Sequence, residues 1–332
     1  MKKLFYTILI FFFVQNCFGQ KIIILTDSVH SSFRGLSVVN DDVVWVSGSN
    51  GTVGKSIDGG KSWKWMIVKG FEKADFRDIE AFDKKTALIM AVDEPAYILR
   101  TNDGGENWKI VFDNKTKGMF LDAMEFWNDQ SGIVIGDPIN HLFYVGRTFD
   151  GGKTWQNIPD KYKPVADSGE ACFASSGTNI RKLNKSEAVF VSGGLSSHIF
   201  IRDQKIILPL IKEKESTGAN SIAIKNNKMM IVVGGDFLQK DSTNKNCAIT
   251  KDGGHSWFQP ETSPAGYRSC VEYLTKNKWI TCGLNGVDIS DDDGMNWKNI
   301  SRESFHVCRK AKKGNAVYFA GSGGRVGKLL IN

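Results

Sequence analysis

Ser56-Ile57-Asp58-Gly59-Gly60-Lys61-Ser62-Trp63 is the stretch that decides the fold, because it returns four more times along the chain. It recurs as Thr101-Asn102-Asp103-Gly104-Gly105-Glu106-Asn107-Trp108 and as Thr148-Phe149-Asp150-Gly151-Gly152-Lys153-Thr154-Trp155. It returns again as Thr250-Lys251-Asp252-Gly253-Gly254-His255-Ser256-Trp257 and as Ser290-Asp291-Asp292-Asp293-Gly294-Met295-Asn296-Trp297. The shared pattern is Ser/Thr-x-Asp-x-Gly-x-x-Trp. An Asp in this setting accepts backbone N–H groups and closes an Asx-type turn. The Gly supplies the positive φ of a tight hairpin, and the Trp folds its apolar face under the turn. β-like stretches flank the pattern, at 51–55 and 64–68 and again at 97–100 and 109–112, so each copy joins two antiparallel strands.

The spacing then gives the architecture. The tryptophans follow one another at 45, 47, 102 and 40 residues, and 102 is two repeats of 51 from which one motif has been lost. The unit without a motif falls at 171–211, where 188–194 and 198–202 still read as strands. A period in the forties made of four short strands is the signature of a β-propeller blade. Blades begin near Phe33, Phe76, Met119, Ala171, Gly218, Gly266 and Phe305. The seventh lacks an outer strand after 326–331, and the apolar run Ile22-Ile23-Ile24-Leu25 near the start of the chain supplies one, which hides two sheet edges. The expectation is an all-β, seven-bladed propeller of four-stranded antiparallel blades over residues 20–332, closed by the N-terminal strand.

The five motifs resemble those of Asp-box (bacterial neuraminidase repeat) propellers over nearly the whole length. Within that group, Val44-Trp45-Val46-Ser47-Gly48-Ser49-Asn50-Gly51 ahead of the first motif looks like the photosystem II stability and assembly factor family of seven-bladed propellers. Ala320-Gly321-Ser322-Gly323-Gly324-Arg325 repeats that strand ending. The resemblance implies a role in stabilising or assembling a membrane or envelope complex, and it implies a patch of arginines.

The composition is that of a globular chain: 332 residues, 41% hydrophobic, 24% charged, with a formal charge of +7. No basic tail or stripe is present to grip a nucleic-acid backbone, so nucleic acid is set aside as a partner. Residues 1–19 read as a signal peptide, with Lys2 and Lys3 ahead of an apolar run and Cys17-Phe18-Gly19 ahead of a cut before Gln20. The run is too short for a transmembrane segment, and no later stretch approaches the ~20 apolar residues a bilayer needs. Asn16 and Gln15 fit a lipoprotein cut before Cys17 badly, so the product is expected to be exported, periplasmic or extracellular. Five cysteines remain after the cut, and Cys270 with Cys282, on consecutive strands, is the one disulfide candidate. The alternative is that all five are small buried hydrophobes.

The Asp-box residues Asp58, Trp63, Asp103, Trp108, Asp150, Trp155, Asp252, Trp257, Asp292 and Trp297 are assigned to structure, since each carboxylate is occupied by its own turn. The binding candidates lie on the innermost strands. Aligning blades on a leading aromatic gives Phe33-Arg34, Phe76-Arg77, Phe120-Leu121, Tyr267-Arg268 and Phe305-His306. Arg34, Arg77, Arg268 and His306 would then converge on one funnel and take a carboxylate or phosphate. Alternatively each arginine pairs with a local acid, such as Asp78, Asp122, Glu170 or Glu272, and ties blades together. Asp78, Asp122, Glu170 and Asp137 are the acids placed nearest that funnel. The partner expected is a protein of the cell envelope that offers an acidic segment or a C-terminal carboxylate.

Two enzyme classes come into question. Sialidases share Asp boxes and an arginine triad, but the Phe-Arg elements at Phe33 and Phe76 lack the proline of that group, and no Tyr/Glu pair is identifiable. An oxidoreductase needs a cofactor motif; Gly321-Ser322-Gly323-Gly324-Arg325-Val326-Gly327 misses G-x-G-x-x-G, and no helix follows. No cofactor is expected. No metal is expected either, because the five histidines form no HxxxH pair and no CxxC exists. The acidic run at 290–294 carries Ile289 and Ile300 where a calcium loop needs Asp and Glu.

Overall fold

Seven antiparallel sheets succeed one another around a ring, one for each repeat of the sequence, the seventh completed by a strand from the start of the described chain. This computed structural model describes residues 20–92 and 94–330. The signal-peptide reading of residues 1–19, Cys17 included, lies outside the described residues. Blade 1 runs outward through Phe33–Val38, Val44–Gly48, Thr52–Ser56 and Lys64–Ile67. The innermost strands of blades 2 to 7 are Phe76–Ala81, Leu121–Phe126, Ile180–Lys182, Thr217–Ile224, Cys270–Thr275 and Val307–Lys310. Lys21–Thr26 joins Val326–Leu330 as the outer strand of blade 7, with Ile22 opposite Leu329, so the two ends of the chain share one sheet.

Burial follows position in the blade. Ala87–Ala91, the second strand of blade 2, is buried at every residue because neighbouring blades cover both its faces. Hence it reads as a continuous apolar run rather than an alternation. Lys64–Ile67, an outer strand, is exposed at both ends. Between blades 1 and 2, Trp45 and Val53 pack on Phe76, Ile79, Ile89 and Leu99. Each such side chain is worth about 1.5–3 kcal/mol when fully buried.

The Asp boxes sit on the hairpins between third and fourth strands. In the first, Asp58 Oδ1 accepts the Ser56 hydroxyl and the Ser62 N–H, both at 2.9 Å, while the Gly60 N–H donates to Ser56 Oγ at 2.9 Å. The same bonds recur at Asp103, Asp150, Asp252 and Asp292. Each carboxylate is saturated by its own turn, and the Ser62 hydrogen bonds pull Asp58 down to about 2.

Blade 4, the unit without a motif, departs from expectation. Its innermost strand is Ile180–Lys182, not a strand starting at Ala171; Glu170–Ala171 pairs instead with Gly193–Gly194. The residues between, 172–179, cross the centre of the ring as a plug. Ser176 Oγ donates to the Ser269 carbonyl of blade 6 at 2.7 Å. Arg309 of blade 7 donates to the Gly177 carbonyl at 3.0 Å. Thr178 Oγ1 donates to Ser221 Oγ of blade 5 at 2.6 Å. Two cavities of about 790 and 430 Å³ lie on opposite faces, at the far and near ends of the innermost strands.

All five cysteines of the described residues are buried free thiols. Of the two readings, five small buried thiols is the one the structure holds, and the Cys270–Cys282 disulfide candidate is not formed. The two are Cα partners on adjacent strands, as expected, but remain unlinked.

Candidate functional site

The smaller cavity opens where the innermost strands begin. It is lined by Arg34, Arg77, His306, Asp137, Asn220, Ser269 and the aromatic walls Phe120, Phe173, Phe237 and Tyr267, and its floor is the start of the plug. Arg34 and Arg77 get there through a bulge. Phe33 pairs with Gly48 and Gly35 with Ser47, so Arg34 is an extra residue swung out of the ladder; Arg77 occupies the same bulge between Phe76 and Asp78. A bulge re-aims a side chain in this way.

That register corrects the alignment on aromatics. The Phe33 N–H donates to the Gly321 carbonyl at 3.0 Å and the Phe305 N–H to Gly283 at 3.2 Å, each reaching the previous blade. In blade 6 the matching donor is the Arg268 N–H, to Gly234 at 2.9 Å. Arg268 therefore stands at the phenylalanine position, and Ser269, one residue later, stands at the position of Arg34. In blade 3 the bulge falls at Asp122, between Leu121 and Ala123, so an acid replaces the arginine there.

The consequences differ by residue. Arg268 is fully buried and does not reach the cavity. Its guanidinium bonds to Asp288 at 2.6 Å through Nε and to the Tyr267 carbonyl at 2.8 Å, a structural ion pair within blade 6. Arg77 lies over the Phe120 ring at 5.9 Å and pairs with Asp75 at 2.8 Å. Arg34 bonds only to Ser32 Oγ, at 3.1 Å, and has no carboxylate partner among the described residues. Burial, with Arg77 beside it, lowers its pKa from the ordinary value. His306 bonds to the Phe33 carbonyl at 3.2 Å and Ser322 Oγ at 3.1 Å. Burial, aided by Arg34, pushes His306 down to about 3, so it is a neutral polar contact and not a cation.

The four acids also separate. Asp137 lines the cavity, accepts the Cys172 N–H at 2.9 Å and is pushed up to about 6 by burial. Asp122 is fully buried behind it with both oxygens lacking a well-placed donor. Burial, then the neighbouring Asp137, raises it well above the carboxylate range. Asp78 lies beneath the plug, accepts the N–H groups of Ile79 and Met124, and is raised to about 8 by burial; it does not line the cavity. Glu170 belongs to a different cluster, bonded to Lys205 at 2.8 Å and His198 at 2.9 Å. With Asp167 and His198 it forms a three-ligand group, but the Lys205 ammonium already bridges both carboxylates.

Alignment on aromatics missed Ser269 and Asn220, and it missed the plug. The signal for the first was a glycine near the end of the second strand in blades 1, 3, 5 and 6, namely Gly48, Gly136, Gly234 and Gly283. A Cβ at Gly48 would meet the Ser32 carbonyl oxygen at 2.4 Å, and one at Gly283 the Tyr267 oxygen at 2.0 Å. Aligning those glycines places Ser269 correctly. The plug carries no repeat signal.

Comparison with known proteins bears on the fold. No family model and no curated protein matches the chain. Among solved structures, one described as YCF48 bound to D1 peptide superposes with a TM-score of 0.68 at 16% identity, covering 96% of each chain. Its fold is shared with YCF48. A second YCF48, from Cyanidioschyzon merolae, gives a TM-score of 0.65 at 14% identity over 92% of this chain and 98% of that one. The WD40 domain of Neurospora crassa Pan2 gives 0.61 at 12% identity over 90% and 89%. The chain is thus a seven-bladed propeller similar in fold to YCF48 and to WD40 domains.

Proposed function

We propose that this propeller is an exported binding protein of the cell envelope that docks a protein partner through a carboxylate, from an acidic segment or a C-terminus, at the Arg34–Arg77 pocket. The observation that carries the reading is Arg34: a guanidinium largely withdrawn from water, without a carboxylate of its own among the described residues, beside a second arginine and aromatic walls. A guanidinium in that state gains strongly from an incoming carboxylate, because much of its desolvation cost is already met by the fold. The neutral His306 and Ser269 add hydrogen-bonding capacity without charge. That a propeller of this shape holds a peptide in the YCF48 complex supports a peptide-sized partner. Export rests on residues 1–19 of the sequence.

The test is capture from envelope extracts with the full chain and with an Arg34→Ala/Arg77→Ala variant. A partner retained by the parent and lost by the variant, with release by salt or by free acidic peptide, supports the reading. Equal retention by both proteins would overturn it. Arg268 is left intact in this experiment, since its removal would break blade 6.

A further inference from the structure

Three of the five described cysteines converge in the core, one or two residues along the chain from the pocket-lining Ser269, Leu284 and His306, without lining the pocket themselves. Cys270 and Cys282 are opposed on the first two strands of blade 6, and Cys308 lies on the innermost strand of blade 7. All three are fully buried. The Cys270 and Cys308 sulfurs are 3.7 Å apart, and the three Sγ atoms all lie within 4.8 Å of one another. The repeat does not call for sulfur here. Gly35, Asp78, Ala123 and Ser221 occupy the place of Cys270 in blades 1, 2, 3 and 5.

The group contains no His, Asp or Glu among the described residues, and the Thr178 hydroxyl, 3.7 Å from Cys270 Sγ, is the nearest oxygen donor of the plug. A zinc site wants four ligands in a tetrahedron. Three thiolates with no hard fourth donor select a soft ion, and Cu(I) is the common one. At a metal–sulfur bond of about 2.3 Å, three sulfurs at the corners of a plane triangle stand about 4 Å apart, close to the 3.7 Å between Cys270 and Cys308 and inside the 4.8 Å that bounds all three.

We infer that Cys270, Cys282 and Cys308 form a binding site for one Cu(I) ion in trigonal sulfur coordination. Each Cu–S bond replaces an S–H bond, so binding releases up to three protons and changes no oxidation state. Because the sulfurs are sealed from solvent, the ion enters while blades 6 and 7 assemble, before Lys21–Thr26 closes the ring.

The experiment is to refold the full chain from denaturant under reductant with excess Cu(I), then desalt against a Cu(I) chelator. The expected result is one copper per chain in the parent and in Cys172→Ser, a three-sulfur shell by X-ray absorption, and a raised thermal midpoint. Cys308→Ser and, as a gentler packing change, Cys282→Ala should lose the copper while keeping the parent's circular dichroism. If neither variant folds, the X-ray absorption spectrum of the parent decides alone. No retained copper, copper bound through nitrogen or oxygen, equal retention by folded variants, or preferential retention of four-coordinate zinc would each overturn the inference. A disulfide between two of the three thiols in protein isolated under non-reducing conditions and refractory to reductant would do the same.

Discussion

Arg34 and Arg268 look alike in the sequence, each preceded by an aromatic residue, and do opposite work. The bulge swings Arg34 into the cavity, whereas Arg268 is held between strands by Asp288. Removing one partner of a buried pair leaves the other charge uncompensated, at a cost of about 3–5 kcal/mol. Arg268→Ala should therefore lower the urea midpoint strongly, whereas Arg34→Ala, at a site without an ion-pair partner, should leave it within about 1 kcal/mol of the parent. Equal losses in the two variants would show that the register assigned to blade 6 is wrong. His306 gives a pH prediction at the same scale. Its folded pKa of about 3 lies below the ordinary 6.5, so the folded chain binds fewer protons than the unfolded one. The stability it contributes is complete above pH ~6.5 and is lost as pH falls toward 3, by at most about 1.4 kcal/mol per pH unit. Denaturant unfolding at pH 7 and pH 5 should show a shallower loss for His306→Gln than for the parent. Carboxylate binding should stay flat between those pH values as far as His306 is concerned, since the arginines alone carry the positive charge.

At the scale of elements, the repeated hairpins were legible because a turn is local chemistry: Asp58, Gly60 and Trp63 meet within eight residues and need nothing from the rest of the chain. The innermost strands were legible as strands, but a one-residue offset at a bulge moves a side chain from cavity to core. Nothing within the Tyr267-Arg268-Ser269 segment alone reveals which residue bulges. Segment 172–179 was illegible for a stronger reason. Its partners, Asp78, Ser221, Ser269 and Arg309, come from four blades and meet only when the ring exists. Gly177 is its keystone: φ is +62°, and a Cβ there would stand 2.3 Å from Asp78 Oδ1. A β-branched residue is an outlier at that φ. Gly177→Val should then cost about 2–4 kcal/mol through strain and overpacking together. Ser176→Ala, which removes the hydrogen bonds of that hydroxyl with the Ser269 carbonyl and the Thr178 hydroxyl, should cost about 1–2 kcal/mol. Thermal unfolding of both variants checks the ranking, and a Gly177→Val midpoint equal to the parent's would mean that the plug is not packed against blade 2.

The ring as a whole depends on one junction that no repeat encodes. Blades 1 to 6 are each made from a continuous stretch of chain apart from the short Glu170–Ala171 and Gly193–Gly194 pairing, but blade 7 needs Lys21–Thr26 from the other end. That strand places Ile22 and Leu25 against the core shared by blades 1, 6 and 7. Two partly buried apolar side chains and a run of ladder hydrogen bonds, at about 1 kcal/mol apiece, amount to about 3–5 kcal/mol. A chain beginning at residue 27 should have a lower urea midpoint. It should also self-associate in proportion to concentration, because Val326–Leu330 becomes an unpaired apolar edge. Adding a synthetic peptide of residues 20–26 should reverse both effects by strand addition, and analytical ultracentrifugation with and without the peptide reads the second directly. If the shortened chain stayed monomeric with an unchanged midpoint, closure would reside in the packing between blades alone. The arginine pocket, lined from blades 1, 2, 3, 5, 6 and 7, would then survive loss of the strand; with closure by the strand, it should lose carboxylate binding until the peptide restores it.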